Sequence, residues 1–218
     1  MTPSPPRLSP LQPIEVKWIN ASVELGPTLP LVGRVCATSL GIGGQPMTIS
    51  MYKTSVPIFV QFLTSLSAVL DKAAAYAEAK KVDPAVLLNM RLAPDMFPLA
   101  RQVRAATDHA INACGRLAGA DMPSLGNAEA SIPELKERIS KTIDFLKGLK
   151  AGEIDGSEEK AIKITFPSGA TREFTGQSLL LTNSLPNFFF HCTTAYDILR
   201  HCGIELGKRD FMGTPVSL

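Results

Sequence analysis

The sequence predicts an all-α fold, a bundle of four long helices with one small β-hairpin inserted before the last of them. Three observations carry that expectation. Apolar residues recur at three- and four-residue spacing over four long stretches, and helix-start signals stand in front of several of these. Only over residues 160–175 does the period drop to two.

The first helix opens at Thr54 or Ser55, either of which is a capping residue, with Pro57 tolerated in the first turn. Phe59, Phe62, Leu63, Leu66, Leu70, Ala73 and Ala77 then mark one apolar face as far as about Lys80. Asp83-Pro84 starts a short helix through Met90. Asp95 is the expected N-cap of the second long helix, which runs to about Leu117 and buries Leu99, Val103, Ala106 and Ala110. Asp95, Gln102 and His109 are seven apart and share one side of that helix, with His109 expected at the surface near its far end.

Ser131-x-x-Glu134 is a capping box for the third long helix, which Gly152 is expected to stop. Its charges, Lys136, Glu137, Arg138, Lys141 and Asp144, read as a solvated face. Ile162, Ile164 and Phe166 alternate with polar residues, Pro167-Ser168-Gly169 makes a turn, and residues 171–174 return as the second strand. Two strands alone are marginal in water, so the hairpin must lean on the bundle.

The last helix spans residues 177–203, with a stripe through Leu181, Leu185, Phe188, Cys192, Ala195 and Leu199. Pro186 removes a backbone donor and clashes with the Thr182 carbonyl, which predicts a bend just before Asn187 and His191. Phe188, Phe189 and Phe190 cannot all face one core, so at least one meets another surface, either the hairpin or a second subunit, with the hairpin preferred. Gly203 stops the helix, and Lys208-Arg209 in the segment that follows complement its C-terminal dipole.

Residues 1–46 are rich in proline and lack either period, which predicts a disordered extension, with Met47 or Met51 as an alternative start. The bundle domain then covers 47–213, followed by a short tail at 214–218. Hydrophobic residues at 45% against 19% charged describe a globular chain, and a net charge of +2 with no basic stripe excludes a nucleic-acid binder. No uninterrupted apolar run reaches the roughly 18–20 residues of a bilayer span, so no membrane partner is expected. Cys36, Cys114, Cys192 and Cys202 have neither zinc nor redox-motif spacing and read as reduced thiols of a cytoplasmic protein.

Three sets of residues carry a resemblance. They are Leu92-x-Pro94-Asp95-Met96-x-Pro98-Leu99-x-x-Gln102, then Pro186-Asn187-Phe188-x-Phe190-His191-x-Thr193-Thr194-Ala195-Tyr196-x-Ile198-Leu199-Arg200-His201-x-Gly203, then Gly207-Lys208-Arg209-Asp210-Phe211. Together, over roughly 47–213, they resemble an uncharacterised-domain family of fungal and bacterial proteins in the DinB/YfiT-like superfamily of candidate metalloenzymes. The resemblance implies a four-helix bundle with a pocket, in which many members hold nickel, zinc or iron on three histidines and some act as thiol-dependent transferases or isomerases. One such histidine comes from the second helix and two from an H-x-x-x-H run ahead of an L-R-x-x-G ending. Anchored on Leu199-Arg200-His201-Cys202-Gly203, His191 matches the second histidine of that run and Asn187 stands at the first. On the second helix Asp95 and Gln102 are the nearby polar candidates, so one ligand of three is retained by type.

Two functional readings stay open on the sequence. In the first, the chain is an enzyme of that kind, with His191 as metal ligand or general base, Asp95 as its charged partner, and Asn187, Gln102 and Tyr196 as orienting hydrogen bonders. In the second, it is a non-catalytic bundle that binds a small molecule or forms a homodimer and has lost the metal site. A single imidazole with amide neighbours holds a transition metal far less tightly than three imidazoles, so a tightly bound ion is not expected.

Overall fold

The computed structural model describes residues 49–165 and 169–216. The extension 1–46, the Met47 start, Cys36, Phe166, the Pro167-Ser168 part of the turn and the last two residues of the tail lie outside them. Four long helices build the bundle: α1 (Val56–Lys80), α3 (Leu99–Ala118), α4 (Ile132–Gly148) and α7 (Leu185–His201). Between and after them come α2 (Pro84–Asn89), α5 (Ala151–Ile154), the single turn α6 (Gly176–Ser178) and α8 (Lys208–Met212). Helix α3 packs along α7 and α4, and α1 along α4, which makes α3 central to the polar sites described below.

The apolar stripes read from the sequence are the core. Phe59, Leu63, Leu70 and Ala73 of α1 are fully buried against Leu99, Val103 and Ala106 of α3, Leu135 and Leu146 of α4, and Phe188, Ala195 and Leu199 of α7. By length and composition α1 could also cross a bilayer, and here its apolar face packs into this core. Asp83 caps α2 by accepting from the Ala85 amide at 2.9 Å. Ser131 accepts from the Glu134 amide at 3.3 Å, while the Glu134 carboxylate reaches one residue further back, to the Ala130 amide at 2.7 Å.

Strands β1 (Ala161–Thr165) and β2 (Thr171–Thr175) pair antiparallel, with Ile162 opposite Phe174. Ile162 enters the core and Ile164 and Phe174 pack against it, so the hairpin does lean on the bundle. At its exit Gly176 lies so close to the Ser157 carbonyl that a Cβ would collide with it.

Four sequence expectations are corrected. Pro98, not Asp95, occupies the cap position of α3, because residues 91–97 form a turn and the Leu99 amide donates across it to the Met90 carbonyl at 2.9 Å. Helix α4 ends at Gly148, four residues before Gly152, because Leu149 turns extended and Lys150 starts the separate turn α5. Arg138 is not on a solvated face: it is only 3% exposed, drawn inward by buried partners.

The fourth correction concerns the last helix. A π-helical segment (Leu179–Ser184) precedes Pro186, with the Leu185 amide reaching five residues back to the Leu180 carbonyl. The wider turn takes up the missing donor and the ring of Pro186 where a straight α-helix would clash. It also rotates the preceding residues, so Leu179 and Leu180 are buried and Leu181, placed on the stripe by an unbroken 3.6 period, is 48% exposed. At the far end Gly203 sits at φ +91°, and the Ile204 amide returns to the Leu199 carbonyl. Lys208 and Arg209 belong to α8, where Asp210 accepts from the Gly207 amide at 2.8 Å and pairs with Lys72 of α1 at 2.7 Å.

Candidate functional site

Helices α3 and α7 pack with Gln102 and His191 facing each other, the one 1% and the other 8% exposed. His191 Nδ1 lies 2.7 Å from Gln102 Oε1, and Gln102 Nε2 donates to the Phe97 carbonyl at 3.0 Å. A carbonyl only accepts, so the amide must present its nitrogen to Phe97 and its oxygen to His191. His191 therefore donates from Nδ1–H, and in its neutral form Nε2 carries the lone pair.

Near-parallel aromatic rings lie beside that imidazole. Phe97 is 6.1 Å away at an interplanar angle of 5°, and His109 is 5.5 Å away at 19°. The Arg101 guanidinium covers the Phe97 ring at 3.6 Å, and Phe190 stands edge-on to His191 at 5.3 Å. Burial, with a smaller push from His109, lowers the His191 pKa to about 4. His109 is lowered too, by burial, with the Asp108 carboxylate pulling the other way. The pair is thus held uncharged near neutrality.

Of the residues singled out in the sequence, the structure brings together His191 and Gln102. Asp95 is exposed in the α2–α3 turn and makes no hydrogen bond to His191. Asn187 uses its side-chain nitrogen on the Asn183 carbonyl, 2.7 Å away, which lies in the π segment. Tyr196 packs on Phe211 of α8, centroids 5.9 Å apart, so its ring serves the α1–α8 side of the bundle. Phe188 packs on Phe59 and Phe189 on Phe62, each at 4.8 Å, whereas Phe190 is 54% exposed and is not covered by the hairpin.

His109 is the residue that sequence reasoning misplaced. Its seven-residue spacing from Gln102 was the signal, since both then share the face of α3 that meets α7. Proximity to the helix end suggested a surface position, but the hairpin and the π segment close over that end. A cleft of about 270 Å³ remains there, lined by His109, Asn112 and Arg116 of α3, Ile164 of β1, and Leu179 and Asn183 of the π segment.

The residues do not fit a three-histidine metal centre. Imidazole lone pairs lie in the ring plane, so the near-parallel rings of His109 and His191 do not converge on one ion. The Gln102 oxygen, the atom through which an amide would ligate a metal, is already engaged by His191 Nδ1. Among the described residues no group of three or more His, Cys, Asp or Glu side chains is placed to hold a metal.

The model of the DUF1993 family, a domain of unknown function, matches residues 51–212. A crystal structure of a DinB family member protein from Shewanella denitrificans is similar at 39% sequence identity and a TM-score of 0.69, over 77% of this chain and 94% of that one. No curated protein matches the chain.

Proposed function

The chain belongs to the DUF1993 domain family with a DinB-like bundle, and from that premise we propose that it is a small-molecule-binding member that works without the superfamily's metal ion. The observation that carries this reading is the engagement of His191 Nδ1 by Gln102, in a setting where no second imidazole converges on His191. Catalysis by His191 as a general base is the weaker reading. A base serves best with a pKa near the working pH, and at about 4 this imidazole is a hydrogen-bond acceptor through Nε2 more than a proton carrier. The reduced thiols Cys114 and Cys192, buried in the bundle, agree with a cytoplasmic setting.

Elemental analysis of the untagged full chain tests this, after expression with nickel, zinc, iron and manganese supplied, beside a His191→Ala variant. The expected result is a low metal content that is the same in both. Near-stoichiometric metal that disappears in His191→Ala would overturn the proposal.

A further inference from the structure

The cleft beside His109 contains one feature that packing leaves unexplained. Arg116, in the last turn of α3, has a buried Nε with no hydrogen-bond partner, and its guanidinium makes no hydrogen bond or ion pair among the described residues. An arginine in a last helical turn is ordinarily accounted for by the helix dipole. That attraction suits a solvated head and leaves a buried Nε–H unsatisfied, a state native proteins avoid unless a water or ligand completes it.

The surroundings favour an anion. Asp108, the carboxylate that lines the cleft, is committed to Arg138 Nη2 at 2.5 Å. Lys160 adds a positive charge at the same end of α3, its Nζ donating to the Arg116 and Leu117 carbonyls at 2.9 and 3.1 Å. Asn183 brings an amide group, Asn112 donates its side-chain nitrogen to the Asp108 carbonyl at 2.8 Å, and Ile164 and Leu179 form an apolar wall. A planar guanidinium binds oxyanions through two parallel N–H groups, and a space of about 270 Å³ suits a molecule of few heavy atoms.

We propose that this cleft is a binding site for the carboxylate or phosphate group of a small anionic molecule, with Arg116 as its charge partner and Leu179 and Ile164 against its apolar part. The proposal rests on the reading of the chain as a small-molecule binder, and it names the class of molecule.

The test follows the Arg116 Nε–H and His109 ring resonances of the full chain while sodium butyrate or inorganic phosphate is titrated in at constant ionic strength. Saturable shifts are expected with one or both, weakened roughly tenfold or more in Arg116→Met. Thermal stability of that variant is expected to be unchanged or raised, since no bond is lost. Butyrate alone assigns the site to carboxylates, and phosphate alone to phosphates. Failure of both anions to saturate, equal binding by Arg116→Met, or marked destabilisation of that variant would each overturn the proposal. Stoichiometric metal on His191 alongside Arg116-dependent binding would remove the metal-free reading and leave the anion site. Low metal without Arg116-dependent binding would do the reverse.

Discussion

Asp108 and His109 are neighbours on α3, yet they join two opposite kinds of polar cluster. Asp108 turns toward α4 and Arg138, whose guanidinium also reaches Thr107 Oγ1 at 2.6 Å, the Gly126 carbonyl at 2.8 Å and Glu129 at 2.7 Å. Every arm of the Arg138 fork is occupied, and it pins the α3–α4 connection to the bundle. The second Glu129 oxygen is buried without a hydrogen bond among the described residues and has only the Arg104 ion pair at 3.6 Å. His109 turns toward α7, where the polar groups are only partly used: His191 is bonded through Nδ1, and nearby Arg116 Nε has no partner. A guanidinium with every nitrogen bonded stabilises and specifies a fold, whereas a buried guanidinium nitrogen without a partner beside a cleft costs stability unless a water or ligand completes it. On the proposed reading, α3 carries a supporting cluster on the side of α4 and a binding cleft on the side of α7, with Asp108 bordering both.

The largest effect should come from breaking the Arg138 fork. Arg138→Met leaves the Glu129 carboxylate and the Thr107 hydroxyl without their main partner, and unfolding in urea should show a loss of about 3 kcal/mol or more. A loss below about 1 kcal/mol would mean that the fork is no more than a surface ion pair. The same amount should not be lost from Lys136→Met, whose bond to Asp71 is exposed.

The two clusters should also separate by pH. His191 has a folded-state pKa of about 4 against an ordinary 6.5, so between those values the unfolded chain binds more protons. Its charging costs nothing above about pH 6.5, and the resulting loss of stability grows as the pH falls toward 4, to about 3 kcal/mol at most. Glu129 behaves differently. Burial would raise its carboxyl, but the Arg138 hydrogen bond, its own backbone and the charges of Arg138 and Arg104 together hold it below its usual 4.5. Its stabilisation is present above 4.5 and is lost only below that. Urea midpoints from pH 7 to 3 should therefore show two windows of loss. His191→Gln should shrink the upper one, which His109 shares, and Gln102→Glu should shrink it by setting a carboxylate on Nδ1 and raising the imidazole pKa. An upper window unchanged in His191→Gln would show that His191 does not titrate there.

How much of this was legible depended on how local the cause is. The helical stripes, the Asp83 and Ser131 caps and the partnership of Gln102 with the last helix follow from short-range spacing, and the structure contains them. Pro186 announced a disturbance, but not that it would take the form of a π segment, since that depends on how Leu179 and Leu180 find the core. The inward turn of Arg138 was illegible because its partners come from the α3–α4 connection, which carries no periodic signal. His109 was misjudged for a related reason. Its partial burial comes from the hairpin and the π segment, elements distant in sequence whose docking no pattern along α3 encodes.

The smallest effect belongs to Asp95, and it tests where the boundary of the proposed binding side lies. The sequence placed this carboxylate as the helix cap and as the charged partner of His191, and either role would make its removal costly. In the structure Pro98 takes the cap position and Asp95 is exposed in the preceding turn, so water solvates it as well as the protein does. Asp95→Asn should change stability by no more than about 0.5 kcal/mol. It should also leave the His191 titration, followed by the ring proton resonances, where it was. A downward move of that titration on losing the carboxylate would show that Asp95 reaches the imidazole in solution. The acid–base pairing expected from the sequence would then regain its geometry, and the separation of the two clusters along α3 would have to be redrawn to include the turn before it.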